Sequence, residues 1–472
     1  MRTRKPAALL ASLSLTACNL APAYTPPTAA SVAAPVAFRD GGNWTPAAPA
    51  DDAPRGNWWQ VIADPQLDAL EQKIEAASPQ LAAALARYDQ ARGYARQARS
   101  GLFPQIDANG SAERGRDQTH GQQHEFTIGG ALSYEVDLWG RVRNQVRAGR
   151  ADVEASAADL ASVRLSLQAE LADDYIQLRG LDAQVAVLEA TVVAFGKALK
   201  LNEARHDGGA SSGVDVGRAR TQLSAAQAQL DQAHADRALM EHAIAALVGE
   251  PASTFTIAAA PTLADPPVVP VAAPSLLLQR RPDIASAERR MAAANARVGI
   301  AKAAMFPSLT LGASGGFDTT GGALFSAATG FWALGPAMAL LSVFDGGKRK
   351  GQLQVARGEF DETAANYRQT VLTAFREVED QMALANRLAS AEQNQQDAVT
   401  AAAQTNRLAS IRYREGAASY LEVVTAQTAE LDARRLAIDL RSRRLQASVN
   451  LIRALGGGWS AASDGAAQAA LN

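Results

Sequence analysis

The chain has 472 residues, 47% of them hydrophobic and 20% charged, with a formal net charge of -2. That composition excludes general disorder and lacks the basic face that a nucleic-acid binder needs. A single cysteine, Cys18, excludes an intramolecular disulfide and any CxxC or zinc spacing.

Met1-Arg2-Thr3-Arg4-Lys5 is a basic start, Ala7 to Leu15 a short apolar run, and Leu15-Thr16-Ala17 places small residues before Cys18. This is the layout of a secretory signal, too short to be a transmembrane helix. Leu-Thr-Ala-Cys resembles a bacterial lipobox, which implies cleavage before Cys18, diacylglycerol on its thiol and an acylated new amine. The alternative is an ordinary signal peptide with a chance cysteine. Asn19 is not the aspartate that resembles an inner-membrane retention signal, which favours the outer membrane.

Residues 18–64 form an arm rich in Ala and Pro, closed by Asn57-Trp58-Trp59-Gln60. Fixed proline φ values disfavour a regular helix there, and the two tryptophans are expected to dock the arm onto the body. Asp64 as cap and Pro65 at N1 start a helix expected to run to about Gly101. Two strands follow. In the clearer one, Phe126, Ile128, Leu132, Tyr134, Val136 and Leu138 alternate with small, polar or acidic residues. That period and length fit a transmembrane β-strand; a half-buried strand of a soluble sandwich is the alternative.

From Ala148 to Gly209 apolar residues recur at helical spacing with no proline. About 60 residues at 1.5 Å each make a rod of roughly 90 Å, too long for a globular core. Gly208-Gly209 turns the chain into a return helix from about Gly213 to Leu247. After a Pro-rich linker the plan recurs: a helix from Pro282 or Asp283 to Ala304, two strands, a long helix from Gln352 to Gly416 and a return helix from about Tyr420 to Leu455. The last strand is expected from Trp332 to Phe344, with Trp332, Leu334, Met338 and Leu340 alternating with Ala333, Gly335, Ala337 and Ala339. The uncharged stretch Thr319 to Phe344 also admits a transmembrane helix, although Gly330, Gly335 and Pro336 sit in its middle. Phe103-Pro104 and Phe306-Pro307 lie 203 residues apart, and Gly209-Ala210 and Gly416-Ala417 lie 207 apart. The chain is therefore a duplication of one large unit rather than a short solenoid repeat. Its divisions are 1–17 signal peptide, 18–64 arm, 65–257 first repeat, 258–275 linker, 276–458 second repeat and 459–472 tail. Four strands cannot close a lipid-exposed barrel, so spanning a membrane requires several chains.

Arg280-Arg281-Pro282-Asp283-Ile284, with Ala287-Glu288-Arg289-Arg290 and Met305-Phe306-Pro307-Ser308, resembles the signature of the outer-membrane efflux channels, the TolC-like outer-membrane factors, in their lipoprotein (NodT/OprM) branch. Trp58-Trp59-Gln60-Val61, Tyr24-Thr25-Pro26-Pro27 and Asp137-Leu138-Trp139-Gly140-Arg141 match as well. The resemblance implies an α+β membrane protein: a homotrimer with a 12-stranded β-barrel continuous with a long periplasmic α-helical barrel. It implies the exit duct of a tripartite efflux system in the outer membrane, lipid-anchored and extending into the periplasm. The partners would be a periplasmic adaptor and an inner-membrane pump of the resistance-nodulation-division class. Such a duct conducts drugs or other toxic compounds passively, is not an enzyme and needs no cofactor beyond the lipid on Cys18.

The resemblance places a gate at the helix tips, on Asp215, Tyr413, Leu421 and Glu422. Thr425 stands where some members carry a ring aspartate, and Ala418 where some carry a locking arginine. Gly209-Ala210-Ser211-Ser212-Gly213 also fits GxSxG, but a nucleophile elbow needs a strand before it and a helix precedes this one. A periplasmic coiled-coil adaptor or structural lipoprotein is the rival reading.

Overall fold

The computed structural model describes residues 19–28, 35, 38–39, 56–117, 121–267, 269, 280–320, 324–326 and 329–457. Cys18, the signal peptide, the tail 459–472 and most of the arm and linker lie outside the described residues. The chain divides into two compact units, one of residues 1–27, 87–157 and 286–368, the other of 28–86, 158–285 and 369–472.

The first unit holds a four-stranded antiparallel sheet in the order β1 (Gln105–Asp117), β2 (Gly121–Val136), β3 (Ser308–Thr319), β4 (Gly330–Leu340). The stretch that admitted a transmembrane helix contains β4 instead, and among the described residues no helix is long and apolar enough to cross a membrane. Each strand has at least 11 residues, enough to cross a hydrocarbon core of ~30 Å when tilted. Partners in an antiparallel ladder share a face. Ile106 opposes Leu132, Ala112 opposes Phe126, Ile128 opposes Phe317 and Tyr134 opposes Leu311, so one face is apolar from Ile106 to Ala112, beyond which Arg114 opposes His124. The other face carries Asp107, Asn109, Ser111 and Glu113 opposite Ala131, Gly129, Thr127 and Glu125, and Thr127 opposes Asp318.

In β4 the simple alternation fails. Leu311 opposes Ala337 but Ala313 opposes Leu334, so Gly335 and Pro336 together face Gly312 in a bulge. One extra residue reverses the side on which every later side chain points. Trp332 and Leu334 therefore join the apolar face, whereas Met338 and Leu340 lie on the opposite one, across from Thr310 and Ser308.

Where the strands meet the helices, carboxylates organise the turn. Asp137 accepts from the backbone N–H of Val142 and Arg143 at 3.1 and 2.9 Å and from the Arg143 guanidinium at 3.0 Å. Asp345 does the same work in the second repeat, taking the Gly347 N–H at 3.0 Å and the Arg349 guanidinium at 2.6 Å. Trp139 Nε1 donates to the Pro307 carbonyl at 2.8 Å, and its ring stacks on Phe306 at 4.7 Å, which ties the end of β2 to the start of β3.

The helices fall in matching pairs. α1 (Pro65–Ala77) and α2 (Pro79–Ser100) precede the first hairpin, and α5 (Pro282–Ala303) precedes the second. The single helix expected from Pro65 to Gly101 is divided at Ser78, which is extended at ψ 119°. Pro79 explains the break: its ring disfavours the α region for the residue before it. α3 (Arg141–Asp207) and α6 (Lys348–Arg414) have 67 residues each, and the return helices α4 (Gly213–Leu247) and α7 (Tyr420–Ala454) have 35 each. The two long helices begin about two turns and one turn earlier than expected; in α3 the added turns bury Val142 and Val146, too few apolar residues among arginines to show a period.

In the second unit the core runs between helices, with Leu188, Ala233 and Leu431 joining α3, α4 and α7. Trp58 and Trp59 are buried, as their docking role required, and Trp58 Nε1 donates to Gln168 at 3.2 Å. Asp64 caps α1 through the Gln66 N–H at 2.9 Å and also accepts from the Tyr175 hydroxyl at 2.6 Å. Arg179, itself buried, donates to Asp182 at 2.8 Å, to the Ala258 carbonyl at 2.8 Å and to Tyr175 at 2.9 Å. Asp182 also takes Arg237 at 2.6 Å and the Ala260 N–H at 3.0 Å. This buried set pins the start of the inter-repeat linker to α3 and α4.

Candidate functional site

The two helix turns are built alike. Gly209 and Gly416 have φ of +73° and +78°, a region that glycine enters without a Cβ penalty. Behind them Ala210 N–H donates to the Arg205 carbonyl at 2.7 Å and Ala417 N–H to the Arg412 carbonyl at 2.8 Å, which satisfies the last orphan carbonyls of α3 and α6. α4 and α7 then restart from Ser212 and Ser419.

Asp215 is part of this restart. The Ser212 hydroxyl accepts the Asp215 N–H at 3.3 Å and donates to its carboxylate at 3.2 Å, a reciprocal cap. Arg218 approaches the same carboxylate at 3.6 Å. Glu422, the equivalent position in the second repeat 207 residues on, lies 3.6 Å from Arg412 with both side chains about half exposed. A pair that exposed contributes little stability, whereas Asp215 is held by both Ser212 and Arg218. Leu421 is exposed, and Thr425 turns its hydroxyl back to the Leu421 carbonyl at 2.9 Å rather than outward.

Tyr413 is buried and joins the two turns. Its hydroxyl donates to Asn202 Oδ1 at 2.6 Å, and Asn202, fully buried, donates in turn to the Ala198 carbonyl at 2.8 Å. Arg205 lies 4.7 Å over the Tyr413 ring and donates to the carbonyls of Tyr413 and Arg414 at 3.3 and 3.2 Å. A cation there suits both the aromatic face and the negative end of α6. Tyr420 packs on Tyr413 at 5.4 Å between ring centres, and Ala219 and Val423 complete the cluster. Burial, then the neighbouring Tyr413 and the Asp215 charge, push the Tyr420 hydroxyl up to about 12.

Of the residues expected at this site, the structure gathers Tyr413 and Asp215 around Tyr420, while Glu422 and Leu421 face solvent. Asn202, Arg205 and Tyr420 were missed, yet the duplication carries a signal for Asn202 and Tyr420. At a spacing of 207, Asn202 corresponds to Ala409, Tyr413 to His206 and Tyr420 to Gly213. The bonded pair therefore sits where the two copies differ. The Ser211 hydroxyl of the GxSxG stretch donates to the Asn202 carbonyl at 3.2 Å, and His206 meets the Ser211 carbonyl, not the hydroxyl, at 3.0 Å.

The family description "Outer membrane efflux protein" matches residues 70–250 and 273–457, one stretch in each repeat. The pyoverdine export outer membrane protein OpmQ of Pseudomonas aeruginosa is 33% identical over 97% of the chain and 98% of its own length. The probable efflux pump outer membrane protein TtgC of Pseudomonas putida is 34% identical over 95% and 96%. The solved structure of the outer-membrane channel OprN superposes with a TM-score of 0.85 at 29% identity, covering 94% of this chain and 100% of that one.

Proposed function

The chain belongs to the outer membrane efflux protein family, and from that premise we propose that its hairpin tips form the gate of an efflux duct. The protein is an outer-membrane channel, the exit duct of an efflux system, and works as a homotrimer with a periplasmic adaptor and an inner-membrane pump. Three chains supply 12 strands, which close the sheet edges that one chain leaves open. The duct itself carries out no chemistry; cargo moves through it and the pump supplies the energy. The sheet's apolar exposed face supports this reading over a periplasmic coiled-coil adaptor, which needs no such face.

In the gate, the Tyr413–Asn202 bond holds the second turn against the first, and that bond is the observation that carries the proposal. Arg205 reinforces it from the other side of the ring. Asp215 and Glu422, repeated by threefold symmetry, place rings of carboxylate near the passage, and such rings attract cations and repel one another. Leu421 adds an apolar constriction between them. Cys18 carries the lipid that anchors the chain in the outer membrane, and its lipobox supports that assignment.

Single-channel conductance in a planar bilayer tests the gate. Replacing Tyr413 with Phe and Asp215 with Ala together raises the open probability, because the buried Tyr413–Asn202 bond and the Asp215 carboxylate's contacts with Ser212 and Arg218 are both lost. Unchanged conductance in the double variant sinks the lock.

A further inference from the structure

The first described stretch of the arm, Asn19 to Pro27, belongs to the same unit as the sheet. It lies along one face of α5. The Tyr24 hydroxyl donates to the Glu288 carboxylate at 2.5 Å and to the Glu288 carbonyl at 3.3 Å. Two turns further along α5, Asn295 Nδ2 donates to the Pro22 carbonyl at 2.9 Å. One turn beyond, Gly299 faces Ala21 so closely that an added Cβ would lie 2.7 Å from the Ala21 Cβ and 2.9 Å from its Cα. The chain then folds on itself, with Ala21 N–H donating to Asn19 Oδ1 at 3.2 Å. Glu288, Asn295 and Gly299 recur at helical spacing, so a single stripe of α5 receives the arm.

The direction of the arm matters. It climbs α5 toward Ala303, five residues before β3 begins. The same ideal Cβ on Gly299 would lie 2.6 Å from Asn144, which sits in the first turn of α3 just after β2. Ala21 therefore rests between the last turns of α5 and the first turn of α3, the helix ends that lead to β3 and follow β2. Cys18 is three residues from Ala21, a reach of at most ~10 Å.

We propose that this stripe of α5 is a dock that fixes the acylated amino terminus at the rim of the β-sheet, with Tyr24, Glu288, Asn295 and Gly299 as positioning residues for the anchor. The inference rests on the lipid reading of Cys18. A docked arm confines the acyl chains to the membrane beside the chain's own strands, whereas a free arm would let them insert anywhere within its length. Gly299 is the discriminating position. An alanine in a helix interior ordinarily favours the helix over glycine by ~1 kcal/mol, but here its Cβ meets the Ala21 backbone and the end of the Asn144 side chain, and the arm must move away.

Two measurements test this on the full-length protein in cells and detergent. A Gly/Ser spacer of about a dozen residues between Leu20 and Ala21 keeps lipid and dock but lengthens the leash about fivefold, which lowers the local concentration of the anchor at the rim about tenfold. The yield of heat-resistant oligomer in the outer membrane then falls toward that of Cys18→Ser; a yield equal to wild type overturns the proposal. Hydrogen exchange in residues 19–27 is slow in the wild type and about tenfold or more faster in Tyr24→Ala and Gly299→Ala, with exchange in the strands unchanged. Tyr24→Ala lies on the arm alone and leaves the body able to fold. Arm exchange as fast in wild type as in the variants overturns the dock. The mass of the amino-terminal peptide reports the acyl group separately. Its absence overturns the lipid reading and the anchor's role with it, whereas acylation with an unprotected arm overturns the dock alone.

Discussion

Glu71 is fully buried on α1 with neither carboxylate oxygen hydrogen-bonded. Burial first, then the charges of Glu75 and Asp68, raise its pKa from an ordinary 4.5 to about 9. The folded chain therefore holds a proton there that the unfolded chain releases above pH 4.5. Its contribution is complete below that value and is lost as pH rises toward 9. Asp173, raised mainly by burial to about 7, and Asp174, raised likewise to about 6, act in the same direction at lower pH. The limb between pH 7 and 9 thus belongs to Glu71. Glu71→Gln should flatten the decline of the thermal midpoint across that interval; a slope equal to wild type would refute the assignment. Asp182 is the opposite case, a buried carboxylate shared by Arg179 and Arg237. Asp182→Ala leaves the buried Arg179 with no carboxylate partner and Arg237 with Glu241 alone, and is expected to cost ~3–5 kcal/mol, read as a lower midpoint in detergent. The sequence shows neither residue as special, because α1 carries acidic residues at ordinary helical spacing and burial is a property of what packs on them.

The elements themselves were largely legible. Helix stops at Gly209 and Gly416, the restart at Pro65 and the period-two pattern of β2 are chain-local signals. Their consequences are testable at the same scale. Gly416→Ala meets a positive φ of 78° and should destabilise by ~1 kcal/mol. Gly196→Ala lies inside α3, where an added Cβ meets nothing within 4 Å, and should stabilise by about the same amount. Opposite shifts of the thermal midpoint confirm the pair. The bulge in β4 makes a second prediction. Leu334→Arg puts a charge on the lipid face and is expected to cost ~2–4 kcal/mol near the midplane. Met338→Arg, on the other face, should leave membrane insertion near wild type. Without the bulge both substitutions would act alike, so oligomer yields in the outer membrane decide between the two registers.

At the scale of the whole molecule, duplication and strand count dominate. β1 and β4 are the outer strands of the sheet, so each chain brings two unpaired edges. Open edges in hydrocarbon leave backbone groups unsatisfied at several kcal/mol each, which makes the single chain unstable in a membrane. The detergent-extracted protein should migrate as a trimer that resists SDS until heated; a monomer at all temperatures, without conductance, would refute the channel. By itself the sequence determined the period of β2 and of the long helices, the glycine stops, the twofold repeat and the need for more than one chain. These follow from backbone preferences and side-chain alternation, which act within a few residues. Only the tertiary structure decided that Tyr413 bonds Asn202, that Met338 and Leu340 leave the lipid face, and that the arm lies on α5. Each of these joins residues far apart in the chain or depends on strand register, and register and packing are settled by the partner surface, not by local propensity.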